Sequence, residues 1–566
     1  MLAVTNRKRR LLNILASVVI LIVFFQLVLN QSILSVSTHQ TPSNVGLAQV
    51  VPTQSVHIPE VSKLFAQSQW PQLGGNPQRT GFVDMEIPTP WTVKWIWNGP
   101  LNGGDGGVPG GHLRLPKDVQ PIVGGGNLYV GHSDGYLRAI SQVNGQQVWA
   151  TNLDNNNAIN NTAAYDAATN SVYAATSNGR LWRLDASTGQ VIYSNRPGGV
   201  ISMAPLLVGS AVYIGNSSGQ FYSFDKVTLA QNWMYTAGAS LVGSAAYSST
   251  HTGLIILLAE DKSVHAVQAT NGTRRWRITV NGDIDPLRGT VFADTYPVVS
   301  EEHDAVIVRS YMDWDKIWQP TGGAPTSVAE IRNYLTQNPS YQSFFVIDLD
   351  NGAQRYVAPV MPGGIGNGGD LEAPPPQAVV KSLPDGSEVA YVLWRSRTSC
   401  QSVCDGREDT TIGEMDLKTG NIRFVQDYKN QGSMRLPTDE QSPLSMAGNT
   451  IFQAHWMLLG AIRITDRSAN LGVSYSNPIR STELTPVLNT LASNLCSGRS
   501  GHYCASNMRT PCDAFGVDPG FYIYYAGACM YDQYWTTPVR NAVISNGTIY
   551  WKSVDGAIIA VGSANP

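Results

Sequence analysis

The stretch SVYAATSNGRLWRLDASTGQVIYSN, residues 171–195, decides the fold, because it contains three short strand-like runs separated by two glycine turns. One turn ends at Gly179, the next ends ten residues later at Gly189, and Tyr193 follows four residues after that. A unit this small cannot bury its own faces, so its copies elsewhere in the chain determine the architecture.

The same spacing recurs along the chain with a period of roughly 40 to 44 residues, which is typical of four-stranded propeller blades. An Asp stands four residues before the second turn position, where its carboxylate can accept hydrogen bonds from turn N–H groups. This Asp is Asp185, Asp225, Asp348 or Asp416. The copies lie at Gly135, Gly145 and Trp149, at Gly219, Leu229 and Trp233, and at Lys262, Gly272 and Trp276, and two partial copies lie at Gly352 and Tyr356 and at Gly420 and Phe424.

Composition agrees with one large β-domain. The 566 residues include 54 Gly, and only 14% are charged, as expected for many turns and for sheets stacked face to face. A net charge of −3, with no basic run after residue 10, argues against nucleic-acid binding. We expect a propeller over residues 67–566, with insertions at 312–342 and 478–534.

The amino terminus predicts a membrane anchor. Leu11 to Leu29 is an uncharged apolar run preceded by Arg7, Lys8, Arg9 and Arg10. A run of this length nearly crosses a bilayer as a helix, and the basic flank should stay cytoplasmic. Residues 1–30 are therefore expected to form a single-pass transmembrane signal-anchor, and 31–66 a flexible extracytoplasmic linker. The alternative is a cleaved signal peptide, which would make the protein secreted.

All six cysteines lie outside the regular repeats, and their even number in an exported chain indicates disulfide bonds. Cys400 and Cys404 are expected to close a small loop, while the remaining four allow three pairings. Their spacing is not typical of a zinc site. The cysteines are Cys400, Cys404, Cys496, Cys504, Cys512 and Cys529.

The segment QWPQLGGNPQRTGFV, residues 69–83, and the repeats themselves resemble the pyrroloquinoline-quinone-like (PQQ-like) repeat propellers from about Trp70 to Val561. This resemblance implies the fold but leaves the function open, because such repeats occur in quinoprotein dehydrogenases and in non-enzymatic scaffolds of outer-membrane assembly.

Eight inner strands are predicted, often with a proline at their start. The last blade has only three strands of its own, so TVKWIWN, residues 92–98, is predicted to supply its outer strand near 557–561 and close the ring. The tryptophans of the repeats are predicted to pack between blades. The predicted inner strands start near Pro121, Ala163, Pro205, Ser244, Pro297, Pro375, Pro443 and Pro538.

An enzyme is the alternative function. The resemblance implies that a PQQ-dependent oxidoreductase of alcohols or sugars would have two adjacent cysteines and a calcium site, whereas Cys400 and Cys404 are not adjacent and no C-x-x-C-H haem motif occurs. Asp294, Glu372 and Glu440 precede inner strands and could gather a cation, but solvated loop carboxylates are the preferred interpretation. We therefore expect no catalytic, metal or cofactor residues, with PQQ and calcium required only under the alternative.

The preferred function is a protein- or glycan-binding scaffold. Strand direction places both insertions, the Cys400 loop and the glycine-rich stretches 103–111 and 362–370 on one face of the disc. Ser327 and Glu330 predict a short capped helix within the first insertion. The partner is not identified by the sequence. The predicted binding residues are aromatic, namely Trp314, Trp318, Tyr522, Tyr524, Tyr525, Tyr531 and Tyr534.

Overall fold

The computed structural model shows an eight-bladed β-propeller within residues 67–566. It describes residues 69–89, 91–97, 116, 119–281, 292, 295–310, 328–360, 377–396, 409–426, 444–455, 458–464, 476–478, 522–524, 542–552 and 558–563. No helix within these ranges is long and apolar enough to cross a bilayer. The predicted anchor, the linker and all six cysteines lie outside the described residues.

In blades 1 to 6 each sheet is antiparallel, and its four strands follow one another in sequence from the axis outward. In blade 7 the short strand Phe82–Val83 pairs in parallel with the inner strand Ser445–Ala447. Two strands precede the first blade, β1 (Phe82–Val83) and β2 (Trp91–Trp97). Blade 1 contains β3 (Ile122–Gly124), β4 (Asn127–Gly131), β5 (Tyr136–Ser141) and β6 (Gln147–Asn152); blade 2 contains β7 (Ala164–Asp166), β8 (Ser171–Thr176), β9 (Arg180–Asp185) and β10 (Val191–Asn195). Blade 3 contains β11 (Leu206–Val208), β12 (Ala211–Gly215), β13 (Gln220–Asp225) and β14 (Gln231–Thr236); blade 4 contains β15 (Ala246–Ser248), β16 (Leu254–Leu258), β17 (Ser263–Gln268) and β18 (Arg274–Thr279).

The later blades continue this order around the ring. Blade 5 contains β19 (Val298–Ser300), β20 (Ala305–Arg309), the helix α1 (Val328–Gln337), a 3-10 turn (Pro339–Tyr341), β21 (Phe344–Asp348) and β22 (Gln354–Val357). Blade 6 contains β23 (Val379–Ser382), β24 (Glu388–Ser396), β25 (Asp409–Asp416) and β26 (Ile422–Gln426). Blade 7 contains β27 (Ser445–Ala447), β28 (Thr450–His455), β29 (Leu458–Ile464), β30 (Ser476–Pro478) and β31 (Tyr522–Tyr524); blade 8 contains β32 (Val543–Ser545), β33 (Thr548–Lys552) and β34 (Ile558–Ser563).

The hydrophobic core lies between neighbouring blades. The second strands β8, β12, β16 and β20 are buried at every residue, because both faces of these sheets are covered by adjacent blades. Outer-strand aromatics complete five of these contacts by packing on a turn glycine of the next blade, which confirms the predicted packing of aromatic residues between blades. These pairs are Trp95 with Gly145, Trp149 with Gly189, Trp233 with Gly272, Trp276 with Gly352, and Tyr356 with Gly420.

The ring closes as the sequence predicted. Strand β2 pairs antiparallel with β34, from Trp91 opposite Ser563 to Trp97 opposite Ile558, and becomes the outer strand of blade 8. Trp95 then packs against Tyr550 of blade 8 and donates its indole N–H to the carbonyl of Gln142 in blade 1, at 2.9 Å. The amino-terminal strand therefore joins the first and last blades and removes an unpaired edge.

Residues 70–83, which we call the hub segment, run along the inner strands of blades 1 to 7. In each of these blades the second residue of the inner strand donates its backbone N–H to the hub segment. The acceptors are carbonyls of the hub segment in six blades and the Gln72 side chain in blade 3. The donors are Val123, Tyr165, Leu207, Tyr247, Val299, Val380 and Met446. The hub segment thus ties seven blades together from inside, a position that the sequence did not reveal.

Candidate functional site

The predicted binding face can be located from strand direction. Second-to-third connections and fourth-to-first connections emerge on one side, which we call the loop face, and the other connections emerge on the opposite turn face. In blades 1 to 6 no connection on the turn face exceeds five residues. The loop face instead carries connections of 12 residues between β24 and β25 and of 21 residues between β22 and β23.

The turns on the opposite face are short because they are tightly capped. Asp185 Oδ1 accepts the N–H groups of Ser187 and Thr188 at 3.0 and 2.8 Å, and these bonds lower the pKa of its carboxyl. The same bonds occur in the equivalent turns at Asp225, Asp348 and Asp416, which confirms the predicted role of this residue. The turn face is therefore a regular surface, since the same capped turn recurs in these blades.

The helix within the first insertion does not lie on the loop face alone. Helix α1 leaves the loop between β20 and β21, but it packs beside β22, the outer strand of blade 5. Ile331 and Leu335 lie four residues apart on the helix face that is buried. Arg332 donates to the carbonyl of Gly420 in the turn of blade 6, at 2.6 Å. The helix was predicted correctly, but its position was not. It covers the outer strand of blade 5, which would otherwise be an exposed edge.

The four-cysteine insertion also has a different position from the one predicted. Strands β30 and β31 both pair with β29, at Ile462–Ile464 and at Leu458–Gly460 respectively. The chain therefore returns to blade 7 at Tyr522 after leaving it at Pro478, so the insertion is not only a link from blade 7 to blade 8. Of the predicted binding residues, Tyr522 and Tyr524 belong to β31.

The other predicted binding residues lie outside the described part of the chain, and so do the three candidate cation ligands. Those residues are Trp314, Trp318, Tyr525, Tyr531 and Tyr534 for binding, and Asp294, Glu372 and Glu440 for a cation. Within the described ranges, no group of three or more His, Cys, Asp or Glu residues could hold a metal ion.

A buried arginine lies in the hub segment. Arg79 is fully buried. Its guanidinium donates two hydrogen bonds, from Nε to the carbonyl of Ala245 at 3.0 Å and from Nη1 to the carbonyl of Leu73 at 2.5 Å. Burial lowers the pKa of Arg79 to about 9, because the charged form is removed from water. Its backbone contacts make it a structural link between the hub segment and blade 4. Sequence reasoning missed this role. The glycines and prolines around Arg79 were the only signal that the backbone follows an unusual path here.

Comparison with known proteins agrees with the repeat architecture. A family model described as outer membrane protein assembly factor BamB matches residues 133–355, which is less than half of the chain. The BamB of Shewanella oneidensis is 26% identical over 188 residues, covering 31% of this chain and 46% of that protein. The chain spans about half the length of the relatives that it matches.

Comparison with solved structures finds similarity over part of the chain. BamB from Moraxella catarrhalis has a TM-score of 0.44 and 14% identity, covering 80% of this chain and 98% of that one. A europium-containing methanol dehydrogenase has a TM-score of 0.46 and 14% identity, covering 70% and 84%.

Proposed function

The chain belongs to the PQQ-like repeat β-propellers, and we propose that it is a protein-binding scaffold held at a membrane on the extracytoplasmic side. The matching family model and three of the matching relatives are named as outer membrane protein assembly factors. That name supports a role in protein binding for the part of the chain that they cover.

The asymmetry between the two faces is the observation that carries this proposal. Long connections leave the loop face of blades 5 and 6, whereas the turn face of blades 1 to 6 is uniform. Variable loops on a rigid scaffold are where binding residues concentrate. The aromatic residues of the two insertions provide large contact surfaces with polar groups, which suits a protein partner, and a glycan partner by the same chemistry.

Anchoring completes the proposal. The apolar run Leu11–Leu29 would hold the chain in the membrane, and residues 31–66 would let the propeller move away from the surface. A scaffold of this kind collects partners near the membrane without any chemical step.

The test is to alter one connection on each face. Residues 397–408, between β24 and β25, are replaced by a short Gly-Ser turn, and a control variant replaces Ser187 and Thr188 in a turn of the opposite face by Gly-Ser. Proteins that co-purify with the full-length chain from membranes are then compared. We expect the loop variant to lose a partner that the control variant keeps. Equal recovery with both folded variants would contradict a role for this loop in binding.

A further inference from the structure

The outer edges of the blades differ around the ring. All exposed large hydrophobic side chains of the described residues belong to the span from blade 1 to blade 3. The outer strands β6, β10 and β14 of these blades contain no charged residue, whereas β18, β22 and β26 contain five arginines. Charges on an edge strand discourage pairing with another chain, so blades 1 to 3 lack this protection. The exposed residues are Val143, Val148, Val191, Ile192, Tyr193, Val200, Val227 and Met234.

The outer edge of blade 2 is the most exposed of the three, and the cause is a missing aromatic contact with the turn of blade 3. In the equivalent turn of blade 3 the glycine is replaced by Leu229, which has a positive φ of 54° and is 2% exposed. In five other contacts between blades, a Cβ at this turn position would clash with the aromatic ring that packs there. Tyr193 consequently remains 47% exposed, whereas Trp276 at the matching position of blade 4 is 7% exposed.

Three successive apolar residues are therefore exposed on β10. Val191, Ile192 and Tyr193 are 45%, 40% and 47% exposed. Val227 of blade 3 extends this surface at 45% exposure, and its carbonyl accepts a hydrogen bond from Arg183, which pairs with Tyr193 across the sheet. A bulge occurs between Val191 and Tyr193, but the four outer-strand residues from Val191 to Ser194 are all exposed.

One end of this edge is positively charged. Arg196 follows β10 directly and is exposed, and its guanidinium contacts only the carbonyl of Asn178, at 3.4 Å, among the described residues. No ion pair involves Arg196 in the described ranges. A carboxylate on a bound partner would complement this cation.

We propose that the outer edge of blade 2 binds an extended segment of a partner protein, which adds as a fifth, antiparallel strand along β10. Among the described strands, β10 pairs only with β9, so its outer edge presents backbone groups beside an apolar surface. The segment should therefore be uncharged in its middle and rich in β-branched residues. Since an antiparallel strand starts opposite the end of β10, the segment carries an acidic residue near its amino terminus, facing Arg196. This surface lies on the rim of the propeller and is separate from the loop face.

A labelled synthetic peptide tests this edge directly. The probe is Glu-Val-Thr-Val-Thr-Val-Thr-Gly, and its binding to the full-length chain in detergent is followed by fluorescence anisotropy. We expect saturable binding, weakened at least tenfold by Ile192→Lys, which places a charge in the middle of the edge. The matched control Val148→Lys places the same charge on the edge of blade 1 and should change the affinity less than twofold.

A charge reversal tests the orientation. Arg196→Glu should weaken binding of this peptide and strengthen binding of a second peptide in which Lys replaces Glu. All three variants change exposed residues, and unchanged urea midpoints would show that they remain folded. Absence of saturation up to about 1 mM, which corresponds to only about 4 kcal/mol of binding free energy, overturns the proposal. Equal effects of Ile192→Lys and Val148→Lys also overturn it. Neither outcome depends on the loop face, so the two proposals fail separately.

Discussion

At the residue scale, the turn glycines between the third and fourth strands meet two requirements at once. Gly272 has a φ of +71°, and an added Cβ would lie 2.5 Å from the ring of Trp233 in the preceding blade. The ten-and-four spacing predicted both the turn and a buried aromatic residue. It did not predict that the ring packs on the next blade's glycine, because spacing reports positions within one blade only.

Replacing Gly272 by alanine should therefore destabilise the propeller by about 3 kcal/mol, from backbone strain together with a steric clash. Gly209→Ala is the matched control, since Gly209 has a similar φ of +56° but no atom within 4 Å of an added Cβ. The control should cost about 1 kcal/mol from strain alone. Urea unfolding at neutral pH measures both values, and equal costs would show that the ring contact is not restrictive.

His265 predicts a dependence of stability on pH. Its ring is fully buried between Tyr235 and Ser263, with contacts of 2.8 and 2.6 Å, and burial lowers its pKa from 6.5 to about 4. Between these two values the unfolded chain binds more protons than the folded chain, so stability is lost as pH falls.

The expected loss between pH 7 and pH 5 is about 2 kcal/mol for this residue. Comparing urea midpoints of the native protein and His265→Gln at both pH values isolates this contribution from other acidic groups. The variant should be less sensitive to pH over this range. An identical pH dependence in both proteins would show that His265 is not held neutral by the fold.

At the element scale, strand periodicity predicted the blades and the closing strand, but not the positions of the hub segment and helix α1. The hub segment has no periodicity, and its hydrogen bonds go to seven different blades. The capping residues predicted helix α1, yet its place beside β22 depends on which edge is left uncovered. Both positions are set by tertiary packing, which a single sequence does not show.

Ring closure depends on Trp95 in β2. Its side chain is 8% exposed and contacts both Tyr550 and the carbonyl of Gln142. Trp95→Ala should destabilise the propeller by about 3 to 5 kcal/mol, the range for large buried aromatics. The neighbouring Lys94→Ala changes an exposed residue and should cost less than about 1 kcal/mol. If both substitutions shift the urea midpoint equally, β2 does not close the ring through this contact.

At the scale of the whole molecule, a closed propeller would carry two proposed binding surfaces and a predicted membrane anchor. The repeats were sufficient to predict the eight blades, because each blade repeats the same local pattern. The positions of the proposed binding residues were harder to predict, since aromatic residues in insertions and aromatic residues in strands look alike in sequence. Tyr522 and Tyr524, expected in a loop, instead form part of blade 7.

Anchoring predicts how the protein divides between cell fractions. If Leu11–Leu29 remains in the membrane, the intact chain should sediment with membranes and resist extraction with salt. Protease added from the extracytoplasmic side should then leave only a small protected fragment. A mature chain that begins after residue 30 and is found in the soluble fraction would instead identify the segment as a signal peptide.

The most direct test of the central claim, binding of a protein through the loop face, is site-specific photo-crosslinking in living cells. A photoreactive amino acid is introduced at Trp318 or Tyr531 in the two insertions, and at Thr273, an exposed turn-face residue, as the control. We expect a discrete protein adduct from at least one insertion position and none from Thr273. No adduct from either insertion position, or the same adduct from all three, would contradict it.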